Sequence, residues 1–489
     1  MVAGKTIGWA LPVAALLAAC GGGGGTDVDG GGGGGPGLAI PTWSQRIEPF
    51  EPKAAALKGA AQDSVVSRAV AQAGATRVIA LAPLQGVTPK RAAAAGSAGA
   101  PRQIGTARAV AETADAAATA ALLQWRPTAR GTQVAALRFE SPLARGVRLG
   151  VLVQALPPGA LLRFHGAAPE DAVQLSAEQL QAVAERNASA GADATQARTY
   201  WSPDFGGAQT TLEVEIPEGA APAAVRLAVP RLSHFTSTAA EADLRTKAAV
   251  AGCLEDVSCH PDYLEQSRSV ARMTYVAEDG GAFYCTGTLL NDMAASGTPY
   301  FLSAQHCIPS QVVASTLVTD WLYRSASCNS AAENPASRRL TGGARLLYAS
   351  AGTDTAFMRL NDPPPAGVVY AGSYYGGVPI GTALASLHHA EGGLQSISLG
   401  SVLRYSNCGD ESCTATSGET GNYLALTWQQ GSTEGGSSGS GVFVTIGARR
   451  YLAGQLHGGS ASCARPDGTD YYGRFDLSYR AALKNWLNP

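Results

Sequence analysis

Residues 433–443, Thr-Glu-Gly-Gly-Ser-Ser-Gly-Ser-Gly-Val-Phe, admit two readings. Glycine and serine at that density ordinarily make a flexible linker. This run, however, lies between two strand-like segments, 423–428 and 442–446. A tight loop between strands can instead present a reactive hydroxyl. The glycines around Ser438 would let the backbone bend so that the N–H groups of Gly436 and Ser438 point at one oxygen. Gly435 to Gly439 also match G-x-S-x-G with Ser437 at the centre. That motif belongs to a strand–turn–helix elbow with Asp and then His downstream. Here a strand follows, and His457 precedes Asp470, so the elbow fails on context.

A serine nucleophile needs a base, a carboxylate to orient the base, and donors for the oxyanion. His306 ends an apolar strand, Tyr-Phe-Leu-Ser-Ala-Gln-His-Cys at 300–307, and Cys285 is a natural partner for the adjacent Cys307. Asp354 opens the strand pattern at 355–360, where an acid can be half buried. Taken singly, the histidine reads as structural and the aspartate as a turn residue. In the order His306, Asp354, Ser438 they match the chain order of the two-barrel serine proteases.

The chain has 489 residues, enough for two or three domains, and its net charge of -2 gives no reason to expect nucleic acid as a partner. Lys5 and the apolar run to Ala19 read as an export signal, too short to span a bilayer. It ends Leu-Ala-Ala-Cys, similar to a bacterial lipobox that would lipidate Cys20 and anchor the chain to a membrane. An ordinary secretory signal is the alternative. The expected location is therefore the outer membrane or cell surface, or the medium after processing. Apart from Cys20 there are eight cysteines, Cys253, Cys259, Cys285, Cys307, Cys328, Cys408, Cys413 and Cys463. An even number in an exported chain predicts four disulfides, whose pairing spacing alone leaves open. No CxxC pair or HExxH motif points to a metal site, and no cofactor is expected.

Four zones follow: signal 1–20, glycine-rich tether 21–37, a cysteine-free region 38–247, and the cysteine-containing region 248–489. In the third zone, helices are predicted over 111–125 and 176–188, the latter with a capping box at Ser176 and Gln179. Strands are predicted at 134–139, 147–153, 211–216 and 225–229. Leu212, Val214 and Ile216 alternate with Thr211, Glu213 and Glu215, which predicts one buried and one wet face. The zone reads as a small β-rich domain. The fourth zone shows short strands at turn-punctuated intervals, a barrel or sandwich pattern. It closes with a helix capped by Asp476 or Ser478 and striped by Tyr479, Leu483 and Trp486.

Region 248–489 resembles the lysyl endopeptidase family of bacterial chymotrypsin-fold serine proteases. The matching pieces are Cys285-Thr286-Gly287, the 300–307 segment, the Asp354 strand, Thr433-Glu434 with 436–440, the 454–459 run through His457 and Gly458, and 470–474. The resemblance implies a mainly β fold, a double six-stranded antiparallel β-barrel protease domain with a C-terminal helix, preceded by the β-rich prosegment. It implies His306 as base, Asp354 as its orienter, Ser438 as nucleophile, and Gly436 and Ser438 as the oxyanion hole. It pairs Cys253 with Cys463, Cys259 with Cys328 and Cys285 with Cys307. Cys408 and Cys413 have no counterpart and are left to staple a local loop.

Trypsin-like enzymes carry their pocket acid six residues before the nucleophile, which is Ser432 here. The lysyl family places it at the position of Asp470, implying a substrate lysine. His457 and Gly458 match subsite positions. The aromatic partner expected for His457 has Tyr405 as its nearest candidate. Ser437 replaces the aspartate that binds a new N-terminal amine in trypsin-like zymogens, so activation by that salt bridge is not expected. The implied mature start is Ala248, after Lys247, and 248–489 holds thirteen arginines but one lysine. The expectation is an exported, monomeric proprotein acting on peptides after lysine. A broader Lys/Arg protease and an inactive protease-like surface protein are the alternatives.

Overall fold

The computed structural model describes residues 43–52, 67–69, 74–84, 100–238, 241, 253–409, 412–418 and 420–489. The predicted signal 1–20 with Cys20, the predicted tether 21–37, and the expected processing site at Lys247 and Ala248 lie outside the described residues. Among the described residues, no helix is long and apolar enough to cross a membrane, which says nothing of membrane β-barrels.

The N-terminal β-rich region, residues 100–238, forms two packed sheets. Strands β1 (Arg102–Ala109), β2 (Gln133–Glu140), β3 (Gly146–Ala155), β4 (Leu161–His165), β5 (Gln209–Ile216) and β6 (Arg226–Phe235) make up most of it. In one sheet β5 lies between β2 and β4; in the other β6 lies between β1 and β3. Inward-facing Leu137, Phe139, Leu149, Val151, Leu162, Phe164, Leu212 and Val214 fill the space between them. Helix α1 (Ala177–Ser189) starts at the predicted capping box, with Ser176 and Gln179 bonding reciprocally.

The alternation in β5 predicts a wet face that the structure does not have. Thr211, Glu213 and Glu215 are buried along with their apolar neighbours. Glu213 accepts hydrogen bonds from Ser67 Oγ, from the Arg68 and Ala69 amides, and from Arg163 Nη1. Arg163 and the returning segment 67–69 cover the polar face and supply the donors that make its burial tolerable.

The remaining chain builds an open half-barrel and a closed barrel, where a double closed barrel was expected. The first contains β7 (Val270–Val276), β8 (Ala282–Leu290), β9 (Tyr300–Ala304), β10 (Val318–Trp321), β11 (Ala344–Ser350) and β12 (Thr355–Leu360). They hydrogen-bond in the order β10-β7-β8-β9-β12-β11 around Met273, Leu289, Phe301, Trp321 and Met358. The second contains β13 (Ala383–His388), β14 (Ser396–Cys408), β15 (Tyr423–Gln430), β16 (Gly441–Ile446), β17 (Arg449–Gly459) and β18 (Asp470–Arg474). It closes completely, in the order β17-β16-β13-β14-β15-β18 and back to β17. Closure removes its edges.

Leu290, Leu302, Phe357, Leu387, Phe443 and Leu452 form an apolar seam with the C-terminal helix. That helix begins at Phe475, earlier than either predicted cap, and no side chain caps it. Asp476 instead pairs with Arg474 and Arg480, and Ser478 bonds to Thr353 and Thr355. A π turn over Tyr479–Leu483 shifts the buried stripe, so that Tyr479, Leu483 and Leu487 are buried while Trp486 is only partly covered. Disulfides join Cys253 to Cys463, Cys259 to Cys328, Cys285 to Cys307 and Cys408 to Cys413.

Candidate active site

Strand β9 delivers His306 just past its end, and the Cys285–Cys307 disulfide ties that turn to β8. Asp354 sits just before β12, which pairs with β9. Its φ of +48° places a non-glycine residue in the left-handed region. There its carboxylate meets the histidine twice: Oδ1 accepts the His306 amide at 2.9 Å, and Oδ2 lies 2.6 Å from His306 Nδ1. An acceptor at that distance fixes the proton on Nδ1 and leaves the lone pair on Nε2. His306 Nε2 is buried and has no hydrogen-bond partner among the described residues.

The same Oδ2 takes a second imidazole, His457 Nδ1 at 2.7 Å, and the two rings meet edge-on. Burial alone would raise the Asp354 carboxyl. The adjacent His306, and hydrogen bonds from both histidines, outweigh it and hold the group down at about 2. The ligand atoms of His306, Asp354 and His457 lie within 4.8 Å of one another, close enough to hold a cation. Their hydrogen bonds already account for the arrangement. The ring against His457 is Tyr423, at 5.2 Å, and not Tyr405, which lies under the Arg474 guanidinium.

Residues 433–441 are no linker. Ser437, Ser438 and Ser440 are all 0% exposed. The Ser438 carbonyl accepts from Thr286 N–H at 2.8 Å, and Gly439 N–H donates to the Leu456 carbonyl at 2.8 Å. These bonds set the loop against β8 and against β17 beside His457. Gly436 and Gly439 have φ of +97° and +77°, so the bends expected of these glycines are made. Ser437 Oγ bonds to the buried His388 Nδ1 at 2.9 Å, and His388 Nε2 bonds to Ser398 at 3.0 Å. A neutral network therefore holds the position where a zymogen aspartate would stand. Burial pushes the His388 imidazole down to about 3, which keeps it uncharged.

Asp470 opens β18 and is fully buried. Its Oδ2 accepts from Trp428 Nε1 at 2.7 Å and Thr433 Oγ1 at 2.6 Å, while Oδ1 has no hydrogen-bond partner among the described residues. Burial, only partly offset by those two bonds and by the nearby Ala461 backbone N–H, raises the carboxyl to about 6, and the charge of Glu434 adds to the rise. Gly459 stands opposite Asp470 across the β17–β18 ladder, and a Cβ there would come within 2.4 Å of Oδ1. Gly458 pairs with Tyr471 in the same ladder. Ser432 is buried nearby in sequence but carries no charge to serve a cation.

Sequence reasoning missed Trp428, Thr433, His388 and Tyr423. Thr433 lay inside the quoted stretch, but a threonine's role as donor to a distant acid has no local signature.

The N-terminal region reaches this site. Gly436 N–H donates to the Ala100 carbonyl at 3.1 Å. Strand β1, which follows, pairs antiparallel with β8.

The lysyl endopeptidase C-terminal domain model matches residues 248–473, and the lysyl endopeptidase N-terminal domain model matches 78–236. A lysyl endopeptidase of Pseudomonas aeruginosa is 32% identical over 376 residues, covering 73% of this chain and 76% of that protein. Among solved structures, a thermostable serine protease from an extremophilic microorganism aligns with a TM-score of 0.29 and 13% identity, over 44% of this chain and 94% of its own. An HtrA-type protease with a tripeptide aligns with a TM-score of 0.31 and 12% identity, over 46% and 62%. At those scores the fold argument rests on the strand pairing above. With both domain models matched in order, and a relative sharing this identity over most of both lengths, the chain belongs to the lysyl endopeptidase family.

Proposed function

We propose that this serine endopeptidase hydrolyses peptide bonds on the carboxyl side of lysine, using Ser438 as nucleophile, His306 as base and Asp354 as orienter. The observation that carries the reading is the 2.6 Å contact from His306 Nδ1 to Asp354, which leaves Nε2 as the only basic nitrogen of that ring. Nε2 takes the Ser438 hydroxyl proton as the oxygen attacks the scissile carbonyl. The oxyanion that forms is held by the N–H groups of Gly436 and Ser438. His306 then returns the proton to the leaving amine, and water repeats the sequence on the acyl-enzyme.

Asp470 is the acid for the substrate's cation. Two neutral donors occupy its Oδ2, so one oxygen remains to receive charge. A single acceptor suits a point-like ammonium better than the two-pronged guanidinium, which supports lysine over arginine. The family's relative from Pseudomonas aeruginosa is itself named a lysyl endopeptidase.

On this reading the chain is an exported, monomeric proprotein. It is anchored through Cys20 or released, and residues 38–247 cover the site until the bond after Lys247 is cut. Peptide digests analysed by mass spectrometry test the specificity. Cleavage after lysine at least about tenfold faster than after arginine is expected. Equal rates would leave a broader Lys/Arg enzyme. A fluorophosphonate probe should label the wild type and not Ser438→Ala; a wild type that resists labelling would make the chain an inactive surface protein.

A further inference from the structure

We infer that Glu391 forms an acidic subsite for the second residue beyond the scissile bond, so that substrates with arginine or lysine at that place are favoured. The inference rests on the role proposed above for the Gly436 and Ser438 amides.

The prosegment enters the site as a substrate would. Its Ala100 carbonyl lies 3.1 Å from Gly436 N–H, one of the two donors assigned to the oxyanion. The Ala100–Pro101 bond therefore occupies the place of a scissile bond. Beyond it the chain becomes β1 and adds to the edge of β8, with Arg102 opposite Tyr284 and Gln103 opposite Phe283. The leaving side of an extended peptide can pair with the same edge in the same direction. Ala100 is not basic, and Pro101 makes the mimicked bond a tertiary amide without an N–H. Both features spare it from cleavage.

Arg102 is thus the second residue past the mimicked bond, and its Nε lies 3.0 Å from Glu391 Oε2. Glu391 is rigidly held. Its φ of +54° is left-handed, and its N–H donates to the Gly435 carbonyl at 2.6 Å. A Cβ placed on Gly435 would lie 3.4 Å from the Ala100 oxygen and 3.6 Å from Glu391 Oε1. The Glu391 backbone is therefore fastened to the turn that carries the oxyanion donors, which places its carboxylate beside that turn. The side chains of Arg102 and Glu391 are 35% and 22% exposed, sheltered at a cleft rim yet still wetted. When the prosegment leaves, Glu391 loses this guanidinium, and a substrate with a basic residue two places past its cleaved lysine would restore one.

The test uses the processed enzyme and three quenched fluorescent peptides, identical except for the second residue after a single lysine: Arg, Ala or Glu. The expected kcat/KM is about two- to fivefold higher for Arg than for Ala, and lower still for Glu, as befits a partly solvated pair. Glu391→Gln should bring the three together, and Glu391→Lys should reverse their order. A merely structural loss would lower all three equally, so the ratio isolates the subsite. Equal wild-type rates on the three peptides overturn this inference and leave the Arg102–Glu391 pair a docking contact only. Failure to cut any of them at lysine overturns the specificity reading on which it rests.

Discussion

At the scale of single residues, two buried acids near one cleft are driven in opposite directions. Asp354 is held down at about 2 because two imidazoles face it, whereas Asp470 has only neutral donors and rises to about 6. An ammonium needs the ionised form of Asp470, and that form declines as pH falls through about 6. The kcat/KM for lysine substrates should fall over that window, chiefly through KM. Fluorophosphonate labelling of Ser438 needs the base but no ammonium, so the difference between the two pH profiles isolates Asp470. Asp470→Asn should remove that difference and cost lysine substrates about 2–5 kcal/mol of transition-state binding. An unchanged rate on lysine peptides would remove Asp470 from the pocket. The stability signs differ as well. The raised Asp470 contributes fully below the ordinary 3.8 and loses that contribution as pH rises through about 6. The depressed Asp354 contributes above 3.8 and loses its share as pH falls toward about 2.

At the scale of elements, the 435–441 turn depends on backbone that only glycine tolerates. At Gly439 a Cβ would come within 2.1 Å of Ser303 Oγ, 2.6 Å of the Thr286 carbonyl and 2.8 Å of the Ala304 amide, at a φ of +77°. Gly439→Ala should therefore destabilise the protein by about 2–4 kcal/mol, from clash and left-handed strain together. It should also depress activity, since β9 carries His306. Denaturant midpoints check the first effect, and a midpoint within experimental error of wild type would contradict the packing argument. This turn was legible in the sequence because glycine spacing, flanking strands and a His-Cys pair are local signals. Other elements were not. Tyr405 and Tyr423 lie on β14 and β15, whose pairing contains two register irregularities. A family counterpart sought along the chain therefore lands on Tyr405, while the strand register brings Tyr423 to His457. The face of β5 with Glu213 reads as wet because nothing local announces Arg163 or the segment 67–69 that covers it. The π turn in the last helix likewise displaces a stripe that 3.6-residue spacing alone would place.

At the scale of the whole molecule, the N-terminal β-rich region, which we propose is a prosegment, and the first barrel share structure rather than merely touch. Strand β1 pairs with β6 of the N-terminal region on one side and β8 of the barrel on the other. Arg148 of the N-terminal region is fully buried and donates to the Ser202 carbonyl at 2.6 Å and across to the Thr316 carbonyl at 2.7 Å. From the other side, Arg339 donates to the Asp204 carbonyl at 3.2 Å. Such sharing predicts that the two parts melt together. On the proposed reading a Ser438→Ala chain does not cut itself after Lys247, so intact mass should show residues 38–247 still attached. Calorimetry should then show one transition, several degrees above that of the processed wild type, because the prosegment binds only the folded barrel. Adding Arg148→Met removes the hydrogen bond to Thr316 and leaves that buried carbonyl unpaired, at a cost of about 1–3 kcal/mol concentrated at the junction. The single transition should then broaden or split, with the lower step belonging to the prosegment. Two resolved transitions in Ser438→Ala alone would mean that β1 does not couple the parts. The prosegment would then be a separate cover rather than a strand of the fold that it blocks.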